Sequence, residues 1–239
     1  MKVELRDKLV LVVGASRGLG ECTARAFADE KAQVVLVART KHLLDDIVDD
    51  LQGKGTTAHA IVADATSESD VKKLAATIAQ KMGVPDVIAT CVGGSLLREK
   101  IEQNSAEDWS RTYAANAAAQ FYIMREFLPP MMDRQSGAIF NVTSKVGVHG
   151  VAKAGVYGAS KAAAIHFSET YASEAKQNGV KITTLAPGPM DTPMRWEATP
   201  HFDRKRTVDP DDVASLMVWI AAHPNVAFDT PLIPLSLMY

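Results

Sequence analysis

The sequence predicts an α/β fold: a doubly wound parallel sheet in three α/β/α layers, forming a single domain over residues 1–239. Three observations predict it. Short Val-, Ile- and Leu-rich runs alternate with longer amphipathic stretches, a glycine-rich turn follows the first run, and no linker or repeat divides the chain. The runs are 9–13, 34–37, 58–62, 87–92, 138–142 and 180–185. Continuous apolar runs this short suit strands buried on both faces. The stretches 18–30, 41–53, 67–82, 105–130 and 156–178 read as helices between them. Such alternation places helices on both faces of a parallel sheet, and right-handed crossovers leave few topologies.

The last third changes character. Segment 187–208 is rich in Pro, Met and charge and reads as a loop or a short substrate lid around 189–208. Asp209 then caps a helix with Pro210 in its first turn. Val213, Leu216, Met217 and Ile220 give that helix one apolar face. The tail PLIPLSLMY reads as a final strand that its two prolines confine to an edge or make irregular.

Composition excludes several classes. Lys and Arg number 26 against 28 Asp and Glu, so no basic excess marks a nucleic-acid or anionic-membrane surface. No apolar run approaches the roughly 18 residues of a membrane span, and the opening MKVELRDK lacks the pattern of a secretory signal. Cys22 and Cys91 have no metal or redox spacing, and the six histidines form no ligand cluster, so no metal is expected. A cytoplasmic protein with no nucleic-acid or membrane partner is the expectation.

The first strand runs into Gly14-Ala15-Ser16-Arg17-Gly18-Leu19-Gly20. Glycine here permits the tight turn and lets backbone approach a phosphate, while the following helix aims unpaired N–H groups at the same place. This is a dinucleotide cradle with the spacing G-x-x-x-G-x-G. At the end of the second strand, where an acid usually holds the ribose 2′-OH of NAD, stands Arg39. Arg17 reaches toward the same pocket from the turn. Two guanidinium forks suit a 2′-phosphate, which makes NADP(H) the expected cofactor.

The fifth run leads to Thr143-Ser144, and Tyr157 and Lys161 follow in Tyr157-Gly158-Ala159-Ser160-Lys161. Four residues apart, Tyr157 and Lys161 share a helix face. A phenol titrates near ~10, and an adjacent ammonium stabilises its phenolate. Such a tyrosine can protonate a forming alkoxide or deprotonate an alcohol. Ser144, at a strand's carboxyl end where ligands bind in open α/β sheets, can orient a carbonyl oxygen.

These motifs resemble the single-domain short-chain dehydrogenase/reductase family, over residues 6 to 223, with its Rossmann-like fold. Gly14, Gly18 and Gly20 match its glycine motif, and Ser144, Tyr157 and Lys161 its catalytic set. The resemblance implies further roles. Asn116 completes a proton relay through a water, and Lys161 also bonds the nicotinamide ribose. Asp64, with Ala65 beside it, contacts adenine. Pro187-Gly188 lies beside nicotinamide and Thr192 holds its carboxamide. Ser16, Arg17, Leu19, Gly93 and Tyr157 complete the cofactor contacts. A homotetramer or dimer is implied as well.

The expected activity is NADPH-dependent reduction of a small-molecule ketone or aldehyde. The alternatives are an alcohol dehydrogenase or 3-oxoacyl thioester reductase of the same family, and a non-catalytic NADP(H)-binding regulator.

Three departures from the family pattern stand out. Val13 replaces a threonine, and Cys91-Val92-Gly93-Gly94 replaces Asn-Asn-Ala-Gly. Asp229-Thr230-Pro231-Leu232-Ile233-Pro234 replaces a Gly-rich ending, which puts the family's last strand and its subunit interface in question. Among other residues, Cys91 reads as a small core hydrophobe rather than a nucleophile. Ser95, Met190 and Trp196 are candidate substrate contacts, with Trp196 alternatively an anchor for the lid. His149 reads equally as a substrate contact or a solvated loop residue. Lys145 reads as a surface charge, and Arg204-Lys205-Arg206 as a solvated run.

Overall fold

The computed structural model describes residues 4–94, 99–226, 228 and 230–236. Seven strands form one parallel sheet in the order β3-β2-β1-β4-β5-β6-β7. They are β1 (Leu9–Val13), β2 (Gln33–Ala38), β3 (Ala58–Val62), β4 (Val87–Thr90), β5 (Gly137–Val142), β6 (Val180–Pro187) and β7 (Leu232–Leu235). The chain winds outward from β1 to β3, then returns to β4 and winds the other way. The order therefore reverses between β1 and β4, which opens a crevice beyond their carboxyl ends, the usual ligand position in such sheets.

Side-chain alternation along each strand divides the core in two. Val10, Val12, Val34 and Leu36 face one cluster, shared with α1 (Gly18–Asp29), α2 (Lys41–Gly53) and α9 (Pro210–Ala222). Leu9, Leu11, Val13, Val35 and Val37 face the other, shared with α3 (Glu68–Lys81), α5 (Ala119–Asp133) and the end of α7 (Gly155–Ala175). Both faces of the sheet are covered, so the strands read as unbroken apolar runs.

The helical stretch read at 105–130 is not one helix. It comprises α4 (Ala106–Tyr113), a π-helical turn at Ala114–Ala118, and α5. α5 continues through Pro129 and Pro130 to Asp133. Met131, fully buried against the sheet, holds that last turn in place. The run read to residue 92 leaves strand geometry after Thr90, although Cys91 N–H still donates to Val13 C=O at 2.8 Å.

The tail does form a strand despite Pro231 and Pro234. β7 pairs in parallel with β6, with Pro234 opposite Ala186. It lies at the sheet edge, where a missing N–H costs no ladder bond. Segment 189–208 holds a short helix, α8 (Pro193–Ala198), and a 3-10 turn at Arg204–Arg206. Asp209 caps α9 as expected, its carboxylate accepting from Asp211 N–H at 2.9 Å. No helix among the described residues is long and apolar enough to cross a membrane.

The β1–α1 turn depends on close backbone contact. Gly14 adopts φ +87°, and a Cβ on Gly20 would lie 2.0 Å from Gly14 O. No side-chain rotation relieves a clash against a backbone carbonyl, so the helix would have to lift off the strand. Gly20→Ala is expected to cost about 1–3 kcal/mol, typical of overpacking. Urea unfolding would show it as a lower midpoint, and an unchanged midpoint would refute the contact.

Candidate functional site

The glycine turn delivers α1 with an open N-terminus. Arg17 is the residue preceding the helix, and its side chain makes no capping hydrogen bond. The first N–H groups of α1 thus lie at the β1/β4 crevice with the positive end of the helix dipole. Gly18, at φ +56°, faces Thr192. A cradle with uncapped helical N–H groups and no side chain at Gly14, Gly18 or Gly20 fits a dinucleotide pyrophosphate. Ser16 is half-buried in this turn, and Leu19 is buried below it.

Around the crevice, Asp64 follows β3 with one carboxylate oxygen accepting from Thr66 N–H and Oγ, at 2.9 and 2.8 Å. Ala65 beside it is buried. Pro187 ends β6, and Gly188 N–H donates to Leu235 C=O at 2.8 Å. The unusual tail thus ties down the Pro-Gly turn. Thr192 precedes α8 and accepts backbone hydrogen bonds from Arg195 and Trp196.

On the β5 side, Ser144 ends up buried as the residue preceding α6 (Lys145–Val148). Its Oγ accepts from Val146 N–H at 3.3 Å, and its own O–H remains unspent among the described residues. Gly147 and Gly158 let α6 lie against α7. A Cβ on Gly147 would stand 2.8 Å from the Lys161 carbonyl carbon, and one on Gly158 would stand 3.0 Å from Val146 O. This contact holds Ser144 near the helix that carries Tyr157 and Lys161.

Both of those side chains are buried. The Lys161 Nζ lies 5.9 Å from the Tyr157 ring centroid and donates to Val142 C=O at 3.2 Å. Asn116, on the π-helical turn, is fully buried. It exchanges hydrogen bonds with Gly94 backbone N–H and C=O, each 3.1 Å, and its Nδ2 also donates to Ser160 Oγ at 3.1 Å. Gly93 separates Asn116 from Lys161: a Cβ there would lie 3.1 Å from Asn116 Oδ1 and 3.2 Å from Lys161 Nζ. The π turn explains how Asn116 is aimed, since one extra residue per turn rotates its side chain relative to a regular helix. With Asn-Asn-Ala-Gly absent, the Asn116–Gly94 pair steadies the loop after β4.

Burial pushes the Lys161 ammonium down from 10.5 to about 8. The Cys91 thiol is pushed up to about 12, chiefly by burial, which fits a packing residue and not a thiolate nucleophile. Among the described residues, no group of three or more His, Cys, Asp or Glu could hold a metal ion.

Other candidates scatter. His149 is exposed at the end of α6. Met190 packs against the α1/α9 cluster and bridges to Val208. Trp196 is an anchor, its Nε1 donating to Asp191 at 2.6 Å with the Arg204 guanidinium 4.3 Å over its ring. Arg204 is therefore engaged as well as solvated. Lys145 reaches Ser236 of the tail at 3.2 Å. Ser95 lies outside the described residues. Arg39 is exposed, but Arg17 is bound to Glu197, its Nη1 at 2.6 Å from Oε1. Sequence reasoning missed Ser160, which holds Asn116, and Gln120, whose Nε2 shares the Val142 carbonyl with Lys161 at 2.7 Å. Small and amide residues inside an apolar helix were the available signal.

A parallel sheet with a phosphate cradle and a buried Tyr/Lys/Asn cluster beyond its strand ends defines a class of dinucleotide-binding oxidoreductases. Residues 8–202 match the family model of the short chain dehydrogenases. The chain belongs to the short chain dehydrogenase family and is an oxidoreductase of that family. An uncharacterized oxidoreductase of Staphylococcus epidermidis is 30% identical over 93% of this chain and 94% of its own length. One from Staphylococcus saprophyticus is 29% identical over 93% and 94%.

The fold is shared with a tryptophan variant of actinorhodin polyketide ketoreductase with NADPH, at TM-score 0.88 and 23% identity, covering 99% of this chain and 98% of that one. It is shared too with an alcohol dehydrogenase from Thermococcus sibiricus complexed with 5-hydroxy-NADP, at TM-score 0.87 and 24% identity, covering 96% of each.

The low Lys161 value has a direct consequence. Between about pH 8 and 10.5 the unfolded chain keeps a proton on this amine that the folded chain sheds, so stability rises with pH across that window. Below about pH 8 the folded state carries a buried cation at full cost. Lys161→Met is expected to gain up to about 3 kcal/mol at pH 7, shrinking toward pH 10.5. Urea unfolding at several pH values checks this; equal or lower stability at pH 7 would refute it.

Proposed function

We propose that the protein is an NADPH-dependent carbonyl reductase acting on a small ketone or aldehyde. The observation that carries the reading is the buried ammonium of Lys161, one helical turn from Tyr157, meeting Asn116 across Gly93. When bound, the nicotinamide cofactor supplies the hydride. The chain's residues do the rest. Ser144 donates its unspent O–H to the carbonyl oxygen and fixes its direction. Tyr157 delivers a proton to that oxygen as negative charge develops on it. Lys161 stabilises the phenolate left behind by its charge in a water-poor site. Asn116 holds the loop after β4 and α7 at a fixed separation and lines the route by which Lys161 is reprotonated. Gly14, Ser16, Gly18, Leu19, Gly20, Asp64, Ala65, Gly93, Pro187, Gly188 and Thr192 line the cofactor crevice.

The preference for NADP(H) is supported by Arg39 and Arg17 and by the lack of an acid at the end of β2. Segment 189–208 serves as a lid over the substrate, with Trp196 as its anchor. We assign the protein to the cytoplasm as a homo-oligomer, dimer or tetramer.

Two measurements test the reading. Tyr157→Phe is expected to reduce turnover of NADPH with a ketone and aldehyde panel by at least about 10²-fold, the usual scale of acid–base catalysis. NADPH binding, followed by fluorescence, should persist; retained turnover would refute the role of Tyr157, and no turnover by the unaltered protein on any carbonyl would favour a cofactor-binding regulator. Arg39→Asp is expected to lower kcat/KM for NADPH relative to NADH by at least about tenfold, in line with loss of a charge-assisted phosphate contact. An unchanged ratio would remove the 2′-phosphate argument.

A further inference from the structure

Arg17 stands between the glycine turn and α1, and its guanidinium is already claimed. Nη1 donates to Glu197 Oε1 at 2.6 Å, and Nη2 donates to Oε2 at 3.4 Å. Glu197 comes from α8, far along the chain. The start of α8 rests on the same turn, since a Cβ on Gly18 would lie 3.3 Å from Thr192 Cγ2 and 3.7 Å from Pro193 Cδ. The segment is therefore held to the cradle at two points, by packing at Gly18 and by a two-pronged ion pair at Arg17. Arg39, at the end of β2, has no ion pair or side-chain hydrogen bond among the described residues.

A carboxylate and a phosphate monoester present the same two-oxygen edge to a guanidinium fork. Glu197 holds both Nη atoms, so a phosphate that needs this edge of Arg17 must displace the carboxylate. We infer that Glu197 is a specificity-determining residue: it occupies the Arg17 fork, and a 2′-phosphorylated adenine nucleotide must take that fork from it. This rests on the reading of Arg17 and Arg39 as the 2′-phosphate cradle. The exchange is energetically accessible, because the side chains of Arg17 and Glu197 are 53% and 60% exposed and such pairs are weak. A phosphate monoester carries close to two negative charges against one on a carboxylate, and on that reading it draws on Arg39 as well as Arg17. Plain adenine nucleotides make no demand on Arg17 and leave the pair intact. Glu197 therefore weakens binding only of the 2′-phosphorylated ligand and narrows the margin between the two nucleotide classes.

Calorimetric titration of the full chain with adenosine 2′,5′-bisphosphate and with 5′-AMP tests this without turnover. Glu197→Gln is expected to bind the bisphosphate about two- to five-fold tighter, the scale of an exposed ion pair, with 5′-AMP unchanged. In an Arg17→Ala background the same substitution should have no effect, which separates competition for the fork from a general change in α8. No gain, an equal gain for both nucleotides, or a gain that persists without Arg17 would overturn the inference.

The unaltered protein reports separately on the underlying reading. If it favours the bisphosphate and Glu197→Gln adds nothing, only the role of Glu197 falls. If neither protein distinguishes the nucleotides, both readings fall. If only Glu197→Gln distinguishes them, the role of Glu197 stands and the NADP(H) preference of the unaltered protein does not.

Discussion

The ammonium of Lys161 is buried at the meeting point of β5, the loop after β4, the π-helical turn and α7. Among the described residues its hydrogen-bond partner is the carbonyl of Val142, and no carboxylate pairs with it. A buried cation without a counter-ion is costly, and here the cost appears as a proton held far less tightly than usual. The surrounding structure is arranged to tolerate it. Gly93 leaves the space beside Nζ open, Gln120 fixes the Val142 carbonyl from the other side, and Asn116 clamps the β4 loop against Ser160. The buried amine stands one helical turn from Tyr157, its Nζ 5.9 Å from the ring centroid.

Close backbone approach is the second constraint. α1 lies on β1 through Gly20 and Gly14, and α6 lies on α7 through Gly147 and Gly158. The first contact places an uncapped helix N-terminus at the crevice, and the second places Ser144 beside α7. The edge strand β7 contributes from a distance, because Leu235 receives the Gly188 N–H and fixes the turn at the far side of the crevice. A tail that departs from the family's usual ending still supplies this bond, since a parallel edge strand needs few donors from its own backbone.

Much of the architecture was legible in the chain. The strand runs are apolar on both faces because both faces of the sheet are covered, and the Gly14–Gly20 turn, Ser144, Tyr157, Lys161 and the Asp209 cap follow from local spacing. The break between α4 and α5 was not legible. Ala114-Ala115-Asn116-Ala117-Ala118 suits a regular helix as well as a π turn, and the choice is made by the partners Asn116 finds in Gly94 and Ser160. Met190 and Trp196 looked alike as lid residues, yet one packs into the α1/α9 core and the other is pinned by Asp191 and Arg204.

The sequence by itself determined the sheet, its winding and the chemical groups gathered at its carboxyl edge. Those depend on short-range periodicity and on residue types with few alternative uses. Only the tertiary structure decided which charges are free. Arg17 and Arg39 are equivalent on paper, and one of them meets Glu197 from a segment 180 residues away. Ion pairs between distant elements leave no periodic trace in a chain, because they depend on where a folded backbone brings two side chains and not on their spacing.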